Sequence, residues 1–373
     1  MPSARATTLA QGFSNRLLLE MYDLSVLDYI VNRDYEGEID KVGSKLNILN
    51  IARITEKTYT GANLTADSLY ENNCVLTIDT WKSFYWKELT IENWQSYIKD
   101  PHSTVVSQKA DERNRNMDLH VLGFYGDVGA GNRVGTDYTT GSVTIAATTG
   151  VVTGDGTTFA ATMVGKGFKA LGHSTWYRVK TFTDTTHIVI EDDFDDTTSA
   201  YTGGAINAGA TYTIEAATVL DITPSNVSKY VGALKLKLDK AEANGFSAVP
   251  DADRWLIVPP EFEDVATNNA SGISLHVPEV YEELVKKGMI TMLKGFKVFK
   301  SNRLSGNNTD GYHVIAGHKN WITFAEKLLE ATIEEDLTGN FGSAFKDLFV
   351  YGAKVADSRR HFAAEGFWKF TNS

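Results

Sequence analysis

Between residues 100 and 128, apolar side chains recur at three-, four- and seven-residue steps. Val106, Ala110, Met117, Val121 and Phe124 share one side of a helix. Lys109, Asp111, Glu112, Arg115 and Asp118 fall opposite, so the pattern predicts one packed and one solvated face. Asp100 suits the N-cap and Pro101 the first helical position, where the missing N–H costs nothing. Glycines at 126, 129 and 131 end the helix. At 1.5 Å per residue it is roughly 40 Å long, and the rest of the chain is organised around it.

Residues 1–42 read as an arm. Phe13, Leu17, Leu18 and Met21, then Leu24, Leu27, Tyr29 and Ile30, predict two short amphipathic helices. So little apolar material makes no core, so the arm must lie on its own body or on a neighbour. Over 43–86 the pattern turns to β, with one strand through Leu46, Ile48 and Asn50–Ile54 and another through Val75–Ile78. The polar stretch Thr55–Asn73 between them makes a long tip. A two-stranded ribbon is marginal alone in water, so it too needs a surface to lie on. Trp81, Phe84, Tyr85, Trp86 and Trp94 are expected as core leading into the helix, which with its surroundings fills 87–137.

At 138–216 the composition shifts to Thr, Gly and Ala. Short β runs are predicted at Ser142–Ala146, Gly150–Thr153, Gly167–Leu171, Trp176–Phe182, His187–Glu191 and Thr211–Ile214, with turns at Gly154–Gly156 and Asp184–Thr185. Such closely spaced strands imply a small sandwich or barrel inserted in a host fold. The host resumes over 217–345. A helix carries Val227, Val231, Leu234 and Leu238 on one face, and Arg254–Val258 is a buried strand stopped by Pro259-Pro260. Helices are expected at Glu261–Asn268 and Glu279–Lys287, strands at Gly295–Lys300 and Tyr312–Ala316, and a further helix over Trp321–Leu329. Residues 346–373 close the chain, with a strand at Leu348–Tyr351. This order suggests an α+β fold rather than repeated βαβ units.

With 373 residues the chain has room for two or three cores. No apolar run approaches a membrane span, and Met1–Phe13 has no signal-peptide core. One cysteine, Cys74, excludes an intrachain disulfide and suits a reducing compartment, so a cytoplasmic origin is expected. The net charge of −11 argues against a dedicated nucleic-acid binder, but not against a wall enclosing nucleic acid.

Recognisable active-site chemistry is absent from the sequence. There is no phosphate-binding Walker loop and no Gly-x-Ser-x-Gly elbow, and Gly129-Ala130-Gly131 with Gly135 follows a helix rather than a strand. His313 and His318 are five apart, wrong for one helix face. Glu191–Asp196 is the one dense carboxylate cluster, but it lacks the spacing and glycine of a hand-type calcium loop, and a solvated acidic loop is the simpler reading. No catalytic residue, cofactor or metal is therefore assigned.

Several phrases carry a family resemblance. Arg254-Trp255-Leu256-Ile257-Val258-Pro259-Pro260-Glu261 is a strand ending in proline before a helix. Gly295-Phe296-Lys297-Val298-Phe299-Lys300-Ser301-Asn302-Arg303-Leu304 precedes Tyr312–Gly317 and Trp321–Ala325, and Tyr351-Gly352-Ala353-Lys354-Val355 lies in the tail. In this order they resemble the major capsid proteins of tailed bacteriophages with the Hong Kong 97 fold. The insertion, with Gly154–Phe159, Met163–Gly165 and Trp176–Val179, is similar to small β-modules of phage structural proteins.

The resemblance implies an N-arm, an extended β loop, a spine helix, and peripheral and axial domains. It implies self-assembly through pentamers and hexamers into an icosahedral head enclosing double-stranded DNA. Scaffolding, portal and decoration proteins would be partners, and the virion the destination. Candidate contacts between copies are Lys57, Tyr59, Asn63 and Leu64 of the loop, with Arg359 and Arg360 near the end of the chain. Some family members cross-link a loop lysine to a neighbour's asparagine; Lys57 has no identifiable partner, so cross-linking is not expected. Two other readings stay open: an encapsulin-like compartment, and a glycan-binding module using Trp176, Tyr177, Tyr201 and Tyr212 of the insertion.

Overall fold

The computed structural model describes residues 25–35, 45–51, 71–90, 101–173, 175–192, 200–241, 248–271, 273, 289–334 and 341–372. In chain order these begin with α1 (Leu27–Ile30), β1 (Val31–Asn32), β2 (Lys45–Ile51), β3 (Glu71–Thr77), β4 (Thr80–Leu89) and α2 (Pro101–Leu122). Next come β5 (Arg133–Val134), β6 (Thr136–Tyr138), β7 (Ser142–Ile145), β8 (Val151–Asp155), β9 (Gly167–Ala170), β10 (Tyr177–Asp184), β11 (His187–Asp192), β12 (Ile206–Ala210), β13 (Tyr212–Thr218) and β14 (Leu220–Ile222). The remainder is α3 (Val227–Asp239), β15 (Arg254–Val258), α4 (Pro260–Thr267), β16 (Met289–Leu293), β17 (Phe296–Lys300), β18 (Gly306–Asn307), β19 (Gly311–His318), β20 (Ile322–Glu334), β21 (Gly342–Val355) and β22 (Ala363–Phe370).

The largest core surrounds a mixed sheet in the order β14-β22-β19-β15-β17-β16, with β5 added to β22 and β18 to β19. Helix α3 packs on it through Val227, Val231, Leu234 and Leu238, all buried as their spacing requires. All five residues of β15 are buried, because the sheet is covered on both faces. Pro259 is extended at the end of β15, and Pro260 opens α4 at a position that needs no N–H donor. Strands β15 and β17 are parallel with α4 in the connection between them, while β15–β19, β19–β22 and β16–β17 are antiparallel.

Residues 136–218 form a second sheet, in the order β12-β7-β8-β11-β10-β9-β13-β6, with antiparallel neighbours throughout. It has its own apolar cluster, including Val143, Val152, Phe168, Val179, Ile188 and Ile214. Strands β7–β11 and β13 match the expected runs; β6 and β12 were not foreseen, since TDY and INAGA carry little apolar signal. The β10–β11 turn forms because the Asp184 carboxylate accepts from the Thr186 N–H at 2.8 Å. That N–H, first among several donors, holds Asp184 down to about 2. Thr136 pairs with Thr218, while β5 and β14 both run parallel to β22, at Glu365–Gly366 and Trp368–Phe370. The chain therefore leaves the mixed sheet and returns to it at neighbouring points.

The third sheet, in the order β1-β20-β21-β4, corrects one expectation. Trp321–Leu329 is not helical: β20 begins at Ile322 and pairs with β21 from Ile322–Val355 to Glu334–Ala344. Trp321, Ile322, Phe324 and Ala325 are all buried, and a strand covered on both faces gives a continuous apolar run that periodicity does not separate from a helix. On one face lies the β2–β3 ribbon, whose Leu46, Ile48, Leu76 and Ile78 pack with Ala325, Leu329 and Val350. Gly352 permits this approach, since a Cβ there would meet the Thr77 carbonyl oxygen at 2.4 Å. On the opposite face lies α2, with the Arg113 guanidinium 4.1 Å from the Phe349 ring centre.

Helix α2 itself departs from the expected pattern at three places, the first being Ala110, which was expected on the packed face and is exposed. Met117 and Val121 are buried as predicted, but Asp118, assigned to the solvated face, is fully buried, and Lys109 turns towards the sheet. The α-helix ends at Leu122 and continues to Asp127 as a tighter 3-10 turn. Asp100, Trp94 and the helix expected at Glu279–Lys287 lie outside the described residues.

Candidate assembly surfaces

Strand β4 borders the four-stranded sheet and pairs with β21 alone among the described strands. Among the described residues no strand takes its outer backbone groups, which suits the addition of another strand. Alternation along it sends Phe84 and Trp86 towards the helix side, where Trp86 stacks on Phe345 with ring centres 5.5 Å apart. Trp81 and Tyr85 point the other way and are 56% and 55% exposed. This corrects the expectation that the whole aromatic run is core: a period of two divides it between faces, and at the border nothing described covers the second. Leu328 and Ile333, opposite Phe349 and Phe345 on the helix-side face, are also exposed, and Phe341 just before β21 is 84% exposed, so both faces of this sheet leave apolar side chains uncovered.

The parts behind this surface are tied by buried ions. Asp118 accepts from the Ser25 hydroxyl at 2.8 Å and from the Val26 N–H at 3.4 Å, and it pairs with Arg303. Burial pushes its carboxyl up and these donors oppose that. One carboxylate thus fastens the segment before α1, the long helix and the loop after β17. Asp347 of β21 similarly takes Lys109 and, at 2.9 Å, Arg113 from α2.

A third cluster joins the antiparallel sheet to the mixed one. Glu365 of β22, with no exposed surface, pairs with Arg133 at 2.6 Å, Lys166 at 3.2 Å and His313 at 2.6 Å. Burial pushes Glu365 up, but Arg133, Lys166 and His313 overcome it and hold the carboxyl well below the usual range. Beside it, Glu215 accepts from the N–H groups of Gly131 at 2.8 Å and Arg133 at 3.3 Å. An irregularity in β13 between Ile214 and Thr218, with Ala216 at φ 46°, turns Glu215 inward. Burial raises Glu215 to about 7. Removing one partner of such a buried pair typically costs about 3–5 kcal/mol, because the other charge stays behind.

Of the contact residues named from sequence, Lys57, Tyr59, Asn63 and Leu64 lie outside the described residues. Arg359 and Arg360 are engaged within their own chain. Arg359 donates to the Asn320 carbonyl at 3.1 Å; Arg360 pairs with Asp357 at 3.1 Å, and its carbonyl accepts from the Gly129 N–H. The acidic run begins with Glu191, paired to Lys180 at 3.2 Å, and Asp192, which accepts from the Thr202 hydroxyl; residues 193–196 are not described. Among the described residues no group of three His, Cys, Asp or Glu side chains is placed to hold a metal, and no helix is long and apolar enough to cross a membrane. Tyr177, Tyr201 and Tyr212 are buried in the antiparallel sheet, which removes three of the four aromatics a glycan site there required.

Glu365, Asp118 and Asp347 were missed as organising residues. Glu365 did leave a signal, a lone carboxylate within Ala363-Ala364-Glu365-Gly366-Phe367-Trp368. Asp118, three and four residues before Val121 and Leu122, adjoins the buried stripe of its helix.

No protein-family model and no curated protein matches the chain. Solved structures do. A chain from Mycobacterium phage Che8 is 17% identical with a TM-score of 0.54, covering 95% of this chain and 96% of that one. The capsid structure of cyanophage P-SCSP1u gives 12% and 0.53, covering 100% and 96%. The capsid asymmetric unit of cyanophage Pam1 gives 12% and 0.53, covering 99% of both. The chain therefore shares, nearly end to end, the fold found in phage capsid structures.

Proposed function

We propose that this chain is the major capsid protein of a tailed phage, built on the Hong Kong 97 plan. Copies associate as pentamers and hexamers into an icosahedral head around double-stranded DNA, with no catalytic role. The observation that carries this reading is the end-to-end match in fold to phage capsid chains, in both directions of coverage. The residues agree with it. In this reading α2 is the spine helix, the β2–β3 ribbon begins the extended loop, and the sheet of β1, β20, β21 and β4 is the core of the peripheral domain. The mixed sheet is the axial domain, and 136–218 is an inserted domain whose ends pair at Thr136 and Thr218 between the flanking strands β5 and β14 on β22.

A ribbon and an edge strand with exposed aromatics suit contact between copies, and obligate interfaces of this kind bury roughly 2,000 Å² or more. The acidic balance suits a wall that encloses DNA without gripping it. Lys57, Tyr59, Asn63 and Leu64 are proposed contacts of the loop; Arg359 and Arg360 would act through the 3-10 turn they brace. A scaffolding protein, a portal and decoration proteins would complete the assembly, and the inserted domain would face outward.

The experiment is electron microscopy of the purified chain, alone and with its phage's scaffold, beside a native mass measurement. Rings of five or six copies or closed shells are expected. A monomer under every condition would overturn the reading. Replacing 136–218 by a short linker tests the insertion: shells of altered surface profile are expected, and a profile unchanged from the full chain would contradict its outward placement.

A further inference from the structure

A cleft of about 320 Å³ opens between β4 and α2, and its charges do not balance. Phe84, Phe349 and Tyr351 form the apolar floor, and Lys82, Lys109 and Arg113 bring three cations to it. Asp347 answers two of them, pairing with both Lys109 and Arg113. Glu112, the other carboxylate on the wall, faces away to its own helix, where Arg115 and the Asn116 amide hold it at 3.3 and 3.1 Å. Lys82 at the rim has no ion-pair partner among the described residues.

The surplus has a physical consequence. Burial pulls Lys109 down, and the neighbouring Arg113 pulls it further. Lys109 and Arg113 share Asp347, and Glu326, whose charge also favours the Arg113 cation, is paired with Arg33, so Lys82 is the cleft cation that a further carboxylate would answer. Because the floor is aromatic, the fitting group is a carboxylate on a chain that also carries apolar contacts, rather than a free inorganic anion.

We infer that this cleft receives an aspartate or glutamate side chain from a second copy of this protein. The inference rests on the shell-building reading and names the chemistry of one contact within it. Charge complementarity favours that occupant: 47 carboxylates against 36 lysines and arginines leave each copy with acidic side chains in excess. Continuity favours it too, because Lys82 lies on the edge strand whose outer side no described strand takes, so a strand laid along β4 passes the mouth of the cleft.

The test uses the full chain under whichever conditions give wild-type particles. Lys82→Glu reverses the rim charge and leaves the Asp347 pairs intact, while Lys229→Glu on α3 makes the same charge change elsewhere. The expected result is a tenfold or greater rise in the threshold concentration for assembly with Lys82→Glu, none with Lys229→Glu, and unchanged thermal unfolding for both. Carbodiimide cross-linking of particles made from a mixture of isotopically heavy and light copies should join Lys82 or Lys109 to an Asp or Glu of another copy. Wild-type particles whose cleft lysines link only within their own chain, with Lys82→Glu assembling at the wild-type threshold, overturn the cleft assignment alone. A wild-type chain that never assembles overturns the shell reading, and this inference with it.

Discussion

The antiparallel sheet of 136–218 and the sheet of β1, β20, β21 and β4 treat their apolar side chains in opposite ways. The first buries the apolar side chains of its strands within its own sequence, with Phe168, Ile188 and Ile214 inside, and its exposed large apolar side chains among the described residues, Val164 and Leu171, sit in turns. The second has strands of up to fourteen residues and borrows its cover from α2 and the ribbon. It still leaves Trp81, Tyr85 and Phe341 in solvent. A unit that satisfies itself needs only an anchor, and Glu365 with Glu215 supplies one. A unit that does not satisfy itself is finished by something else, and in a shell that is the next copy.

The largest expected effect separates anchor from surface. Glu365→Leu leaves Arg133 and Lys166 buried without their carboxylate, and unfolding in urea should show a loss of about 3–5 kcal/mol. Gly352→Val strikes the ribbon's seat: a side chain aimed at the Thr77 carbonyl forces the ribbon off the sheet, costing about 1–3 kcal/mol and lowering yield of particles. The anchor is also acid-sensitive. Because the folded-state pKa of Glu365 lies below its ordinary 4.5, its stabilisation is present above that pH and is lost as pH falls below it. Each such proton changes stability by about 1.4 kcal/mol per pH unit. Glu365→Gln should flatten the acid limb of a urea series run from pH 7 to pH 3. The smallest stability effect belongs to the surface. Trp81→Ser with Tyr85→Ser should move unfolding by no more than about 0.5 kcal/mol and yet abolish or slow assembly in light scattering. A large loss of stability instead would mean that these aromatics are covered within their own chain.

Much of this comparison was legible before any coordinates. Local signals sufficed where an element answers to one neighbour: the α3 stripe, the Pro259-Pro260 stop, and the short runs of the antiparallel sheet. They failed where distant chain decides. Trp321–Leu329 is a strand because β21 lies beside it, and Asp118 is buried because Arg303 and Ser25 arrive from far away in sequence. The exposed Trp81 and Tyr85 read as core because an aromatic run carries no mark of which face will be left open. The ions behind the surface were hidden for the same reason, each pair joining residues that no sequence spacing connects.

Hydrogen exchange measured on the free chain and on assembled particles tests the contrast most directly. Strand β4 and the ribbon strand β3 should gain protection on assembly, while β7–β11 and their turns exchange alike in both states. Protection gained across β7–β11 with β4 unchanged would contradict the account, placing the contacts between copies on the self-contained unit instead.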